Sequence, residues 1–498
     1  MIRYPFWLAV AVLLSCSRTA DDVLRVAISG RMISYDPHLQ DEVVTVETLN
    51  NIYESLVSFD LDMGMVPVLC TGYASLSDLR WRFYLRPGVK FHNGKYLRAE
   101  DAAYSLARAR DSRESVFRSM MASVSRIEAV DSLTLDIVTF KPRPNLIPAL
   151  SLISIIPAGH HPGQSPVGTG PYRYLGDSSP DRLVLEAFPE YWGPKPDFAR
   201  AEYLVIEDDE KRKGLFLNGT IDVNAAIEES EIASLSGEGK INLITKPGAT
   251  VSLLAMNVSG NPRDNPLADQ RVRRAISLAI DRQDMAQQVC RGHAIPANQV
   301  LTRSIIGYNP ALPEIGQDLS EARRLIESLN LKGPLSLTLE VSTGARVEGE
   351  YLARQLAEAG ISLTVRAMPW DSLYGRIEAG LSPFYLMGFG YSYNDAGEML
   401  NEMIHSRGHW TDFGVRNQSG YSNPWLDKLI EQADRELSPE KRRQLLQEAV
   451  AVIYRELPLI PLYIRGSNYG LSRDIAWEQR TAGFLLARDL HPKKARRS

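Results

Sequence analysis

Apolar and polar positions along this chain follow two different periods, and the two take turns. Leu335, Leu337, Leu339 and Val341 alternate with Ser336, Thr338 and Glu340, the period-two pattern of a strand with one buried face. From Val347 to Ala359 the spacing becomes helical, with Tyr351, Leu352, Leu356 and Ala359 on the apolar stripe and Gly360 ending it. Ile361, Leu363 and Val365 alternate again, so residues 335–367 predict a strand–helix–strand unit with a right-handed crossover. A second helix is expected after Asp269 as N-cap, with Val272, Ile276 and Ala279 on one face. A third is expected after Ser438-Pro439, carrying Leu445, Ala449, Ile453 and Leu457 until Pro458 stops it. The run Leu459–Ile464 reads as a buried strand. Nearer the start, Trp81–Arg86 predicts a short strand, Pro87-Gly88 a turn, Val89–Phe91 a second strand, Asn93-Gly94 a hairpin-like loop, and Ala99 the start of a helix. Alternation of this kind, with no internal repeat and no long low-complexity linker, predicts a mixed α/β protein of two or more lobes.

Composition narrows the class. At 498 residues the chain is long enough for two or three domains, and 44% hydrophobic with 23% charged residues is the usage of a globular protein. Sixty acidic against 56 basic residues leave a net charge of -4, which disfavours nucleic acid as a partner. The basic tail Lys493, Lys494, Arg496 and Arg497 reads as a solvated terminus. At the other end Arg3 precedes an apolar run, Phe6–Leu14, too short for a bilayer span but the size of a signal-peptide core. The run leads into Leu13-Leu14-Ser15-Cys16, which resembles a bacterial lipobox. On that reading residues 1–15 are removed and Cys16 carries the lipid; the alternative is a plain secretory signal with an incidental Cys16. Cys70 and Cys290 then remain, as one disulfide or as two buried thiols, and spacing decides neither.

Several motifs, taken in order, have a family look. They are Trp81-x-Phe83-x-Leu85-Arg86 continuing through Gly88–Gly94, Ala99-Glu100-Asp101-Ala102 with Tyr104-Ser105-Leu106, Val167–Tyr172 and Tyr191-Trp192-Gly193. Met256-Asn257 with Asn261-Pro262, Asp269-x-Arg271 through Ile276, Asn423-Pro424-x-Leu426-Asp427 and Glu456–Tyr463 complete the set. In this the chain resembles the peptide/nickel class (family 5) of extracytoplasmic solute-binding proteins that serve bacterial ABC importers, of the oligopeptide- and dipeptide-binding lipoprotein kind. The resemblance implies a two-lobed periplasmic-binding-protein fold of type II, in the large cluster with an extra lobe-one subdomain, hinged between the lobes. By that analogy lobe one takes residues 21–255 plus 476–498, with an inserted subdomain at 51–164, and lobe two takes 256–475.

Rival chemistries find little support in the lettering. Gly-x-Ser-x-Gly, His-Glu-x-x-His and Gly-x-x-x-x-Gly-Lys patterns do not occur. Ser438-x-x-Lys441 opens a polar helix and reads as a cap, and Gly168-Thr169-Gly170 before Pro171 reads as a tight bend at a lobe junction. Glu402, His405 and His409, and the pair His160-His161, have spacings a metal would tolerate, but exposed loop polarity explains them more simply. No cofactor, no metal and no catalysis are expected.

The resemblance directs attention to Gly388, Phe389, Gly390, Tyr391, Ser392, Tyr393 and Asp395, a stretch that in related carriers follows a lobe-two strand and lines the cleft. Ser392 stands where those carriers place an acid that holds a peptide's ammonium group, and Asp395 matches a second acidic position. Three aromatic residues and two glycines after a strand also suit a cleft wall without any family; the other reading is a surface loop with its aromatics packed below. Trp370 is expected as pocket wall or lobe core, and Ser34-Tyr35 as the opposing cleft loop. The expected function is a lipid-anchored, monomeric receptor on the periplasmic or extracellular face of a bacterial membrane. It would capture a peptide between closing lobes and present it to an ABC permease. The alternatives are a non-peptide solute such as an oligosaccharide or other polar nutrient, a secreted hydrolase, or a periplasmic chaperone.

Overall fold

The computed structural model describes residues 23–61, 63–161, 163, 165–179, 181–408, 413–477 and 484–493. Cys16, His409 and the tail beyond Lys493 lie outside the described residues.

The expected strand–helix–strand unit is present as Leu335–Ser342, Arg346–Glu358 and Ile361–Met368, and its strands pair in parallel from Leu335↔Ile361 to Ser342↔Met368. Asp269 caps the helix Gln270–Ala279 by accepting from the Arg271 amide at 2.8 Å, and Val272, Ile276 and Ala279 are buried. The helix Pro439–Glu456 starts on its proline and ends where Leu457 turns left-handed (φ 52°) ahead of Pro458. Ser438 holds the N-cap position without a side-chain cap bond. One expected strand is corrected. Arg80–Leu85 pairs with Cys70–Ser77 and Thr134–Thr139 instead of with Val89–Phe91, which contributes only the single bridge Lys90↔Tyr96. Both edges of Arg80–Leu85 are already occupied, so the turn at Pro87-Gly88 leads the chain out of the sheet.

Two long strands organise the molecule. Ile241–Met256 and Leu459–Ser472 run antiparallel along their whole length, with a register break between Pro247 and Val251. On one side of the break this ribbon joins, through Val223–Asn224, the strands Val23–Ile28, Arg200–Val205, Arg182–Ala187 and Tyr172–Ser179. On the other side it joins Phe384–Gly390, which pairs with Leu335–Ser342. The cores divide in the same way. Leu24, Val26, Tyr203, Tyr469, Leu471 and Ile475 belong to one cluster; Leu254, Ile276, Leu339, Leu352 and Ile460 belong to another. A four-stranded sheet with the helix Ala99–Asp111 has a core of its own, built on Phe83, Phe91, Leu106 and Ile137. Cys70 packs in that core and Cys290 in the Leu254–Ile460 cluster, so the two thiols are not bonded to each other.

Gly168-Thr169-Gly170 joins the four-stranded unit to the rest by close backbone approach. A Cβ at Gly168 would sit 2.0 Å from the Ile52 carbonyl oxygen, and one at Gly170 would sit 2.6 Å from that of Asn51. Only glycine fits either position.

Candidate functional site

Strand direction locates the site. Val23–Ile28 and Arg200–Val205 run parallel to Ile241–Met256, whereas Phe384–Gly390, Leu335–Ser342 and Ile361–Met368 run against it. The C-terminal ends of the two half-sheets therefore point toward each other across the ribbon. Ile28 comes level with about Ile244, and Gly390 pairs with Thr250. Six residues of strand separate the two edges, about 20 Å at ~3.3 Å per residue. Ligands of α/β sheets gather outside such carboxyl ends, because the chain leaves the sheet there in loops and does not cover it with helices.

The first edge is the loop after Ile28. Ser34 and Tyr35 line a pocket of about 110 Å3 together with Ile28, Ile33, Arg182 and Tyr203. The Tyr35 ring lies 5.3 Å from that of Tyr174, and the Tyr35 carbonyl accepts from the Tyr53 hydroxyl at 3.1 Å. Asp36 anchors the loop from beneath, where Arg108 Nη1 donates to its Oδ1 at 2.8 Å and Nη2 to its other oxygen. His38 completes the anchor. Its Nε2 donates to the Ser154 carbonyl at 2.8 Å, so its bare Nδ1 accepts from Arg108 Nη1 at 2.8 Å. Burial, reinforced by Arg108, lowers the His38 pKa to about 4 and keeps the ring neutral.

The second edge is the end of Phe384–Gly390. Strand alternation sorts the expected residues into two sets. Phe389, Tyr391 and Tyr393 face inward, each about 5–6% exposed, with the Phe389 and Tyr391 rings 4.9 Å apart and the Tyr391 hydroxyl donating to the Val300 carbonyl at 3.0 Å. Gly388, Gly390 and Ser392 face outward. The aromatics of this stretch thus pack below the wall, whose surface is bare backbone and one hydroxyl. Tyr385 is the last residue of this strand to pair with Leu335–Ser342, so among the described residues Met387–Gly390 has no strand partner on that side. Asp395 is 2% exposed and is held by Arg442 Nη2 at 2.6 Å and by the Gly397 amide at 2.7 Å, an anchor under the loop. Trp370 is half exposed at the start of the helix Trp370–Glu378, its ring 5.8 Å from that of Tyr374.

Two residues that the sequence reading did not select belong to this surface. Glu398 accepts from the Ser392 hydroxyl at 2.8 Å and the Ser392 amide at 3.0 Å, and burial pushes its carboxyl up to about 7. Nothing local in the sequence ties it to Ser392. Arg465 lies on the ribbon and donates to Glu348 at 3.0 Å and to the Ser252 hydroxyl at 3.2 Å. A charge directly ending the apolar run Leu462-Tyr463-Ile464 was the available signal. The expectation of exposed loop polarity around His405 is corrected: Glu402 lies in the helical stretch Leu400–Ile404 and His405 at its end is buried, its ring bonding the Ser406 carbonyl at 2.8 Å and Glu431 at 3.3 Å and stacking on Phe413.

The halves also touch directly. Asn394 Nδ2 donates to the Met63 carbonyl at 2.7 Å, Asn145 Nδ2 to the Tyr393 hydroxyl at 3.4 Å, and Lys141 Nζ lies 3.3 Å from Asp434.

Comparison with known proteins agrees with this geometry. Residues 64–410 match the family described as bacterial extracellular solute-binding proteins, family 5 Middle. Glutathione-binding protein GsiB of Shigella boydii serotype 4 (strain Sb227) and that of Escherichia coli O157:H7 are each 28% identical over 502 residues, covering 96% of this chain and 96% of theirs. Among solved structures, HbpA2 from Haemophilus parasuis superposes with a TM-score of 0.84 at 20% identity, over 95% of this chain and 100% of that one. The ABC transporter-associated periplasmic binding protein DppA from Helicobacter pylori, in complex with the peptide STSA, superposes with a TM-score of 0.77 at 21% identity, over 95% of this chain and 98% of that one.

Proposed function

The chain belongs to family 5 of the bacterial extracellular solute-binding proteins, and from that premise we propose that it captures a short peptide or peptide-like solute between two closing lobes. As a family member it is the solute-binding component of an ABC importer, and the named relatives are binding proteins. The observation that carries the peptide reading is the bare edge at Met387–Gly390. Two outward glycines and an unpaired strand side let an extended ligand approach the backbone and bond to it as an added strand. The relatives support the same class, one set named for glutathione and one structure holding the peptide STSA.

In this reading the lobes meet at the register break of the ribbon. Ser34, Tyr35 and Arg182 form one wall, and Trp370, Gly388, Gly390 and Ser392 the other. Phe389, Tyr391, Tyr393 and Asp395 act from below as positioning residues. Ser392 offers a hydroxyl backed by Glu398, so an amine on the solute finds its negative charge one residue deeper than the wall. The protein performs no bond chemistry. It works outside the cytoplasm, held to a membrane by lipid on Cys16 and acting as a monomer; among the described residues no helix is long and apolar enough to cross a membrane.

Native mass spectrometry of protein purified from bacteria tests the ligand class. Adducts of tripeptide to pentapeptide mass are expected, and Gly390→Val, which puts a side chain on the bare edge, should abolish them. Adducts of sugar mass, or adducts that survive Gly390→Val, would replace the peptide reading. Anchoring is tested separately: wild type should incorporate radiolabelled palmitate and Cys16→Ala should not, while an exported but unlabelled wild type would mean an ordinary secretory signal.

A further inference from the structure

Away from the cleft walls, the segment after the strand Thr134–Thr139 meets the end of the helix Pro424–Ala433. Asp434 is the C-cap of that helix and is 2% exposed. A buried carboxylate is costly anywhere, and a helix C-terminus makes it worse because the dipole there is negative. Among the described residues its own half gives it one neutral side-chain donor, Asn401 Nδ2 at 3.1 Å. Both cations come from the other half. Lys141 Nζ lies 3.3 Å from Oδ2 and Arg143 Nη1 lies 3.8 Å from Oδ1, while Lys141 also sits 5.2 Å from the centre of the Phe413 ring. Among the described residues of the seam, Oδ1 of Asn145 is buried without a hydrogen bond. Water would satisfy it if the halves parted.

We propose that Lys141, Arg143 and Asp434 form an electrostatic latch that populates the closed arrangement of the two halves before any solute arrives. Charge pairing across the seam favours closure, because shutting it without the cations would bury Asp434 alone. The unsatisfied amide oxygen of Asn145 favours opening. The opposition keeps the two states close in energy, as a receptor needs if solute binding is to shift the population. The apparent affinity for any solute then depends on residues remote from it. The inference rests on the ribbon acting as a hinge and not on the identity of the solute.

Electron–electron resonance distances in the protein with no solute added test it. Nitroxides are attached at Glu100→Cys and Glu358→Cys, exposed positions in opposite halves, in a Cys16→Ala background whose other two cysteines are buried. Wild type at the latch should show a short-distance population. Lys141→Gln with Arg143→Gln should lower the closed-to-open ratio about tenfold or more. Asp434→Lys combined with Lys141→Glu and Arg143→Glu should restore it. The Gln pair sits on a partly exposed segment and decides the matter even if changes at Asp434 impair folding. An unchanged distance distribution in the Gln pair, or no short-distance population in wild type, overturns the latch.

Discussion

The two proposed cleft walls are built alike at first sight. Each is a loop leaving the carboxyl end of a strand, and each is pinned from beneath by a buried aspartate held by an arginine from a helix: Asp36 by Arg108 in the first half, Asp395 by Arg442 in the second. The difference lies in the third member. In the first wall Arg108 also donates to the neutral Nδ1 of His38, whereas in the second Arg442 donates to the Ala433 carbonyl. One anchor therefore contains a histidine and the other only a carboxylate, a guanidinium and backbone. Fixed geometry is common to both anchors, and a buried neutral histidine belongs to the first alone.

The sharpest test removes the arginines. Arg442→Met should lower unfolding free energy at pH 8 by about 3–5 kcal/mol, because Asp395 would be left buried and unpaired. Arg108→Met should cost a comparable amount at pH 8 but less at pH 5, where His38, relieved of its cationic neighbour, takes a proton beside Asp36. Urea midpoints at the two pH values give the answer, and an equal pH response of the two variants would break the comparison.

Next in size is the acid response of the unmodified protein. His38 and His92 share one arrangement, Nε2 donating to a carbonyl and Nδ1 accepting an N–H, and burial lowers each to about 4. An unfolded histidine titrates near 6.5. The stabilisation is thus complete above pH 6.5 and is lost as pH falls through 4, by up to about 3 kcal/mol for each ring. His38→Gln and His92→Gln should each flatten the stability curve over that window, and curves parallel to wild type would show that the rings are not what titrates.

The smallest effect sharpens the second wall. Glu398, raised to about 7, stabilises the fold in its protonated form, so its contribution is present below pH 4.5 and fades as pH rises through 7. Partial exposure at the cleft reduces this to about 1 kcal/mol. Glu398→Gln should remove the slope between pH 4.5 and 7, read as thermal midpoints across that range.

Elements with strong periodicity were legible from the sequence, among them the unit at 335–367 and the helices after Asp269 and Ser438, because propensity, capping and pattern agree there. Val89–Phe91 misled because its apolar spacing suits a strand, while pairing partners for its neighbour came from residues 70–77 and 134–139, too distant to infer locally. The candidate site was proposed from the sequence as a segment, and its surface was not legible there. Residues 388–395 stood out by composition, but which of them face outward depends on the register with Thr250–Met256. Glu398, six residues past Ser392, and Arg442, 47 past Asp395, meet their partners only after folding.

The pairing of Val223 with Leu471 has a further consequence, for the order in which the protein can form. Among the described residues the first-half sheet reaches Ile241–Met256 through a strand contributed late in the chain, and Leu485, Ala487 and Leu490 fill the same core as Leu24 and Val26. Contacts separated by more than 400 residues set a high entropic barrier to completing that half, and none of them exists until nearly all of the chain has been made. The strand–helix–strand unit at 335–367 carries its contacts locally and has no such delay. Synthesis therefore runs in one direction and consolidation in the other: the half begun first is the half that closes last.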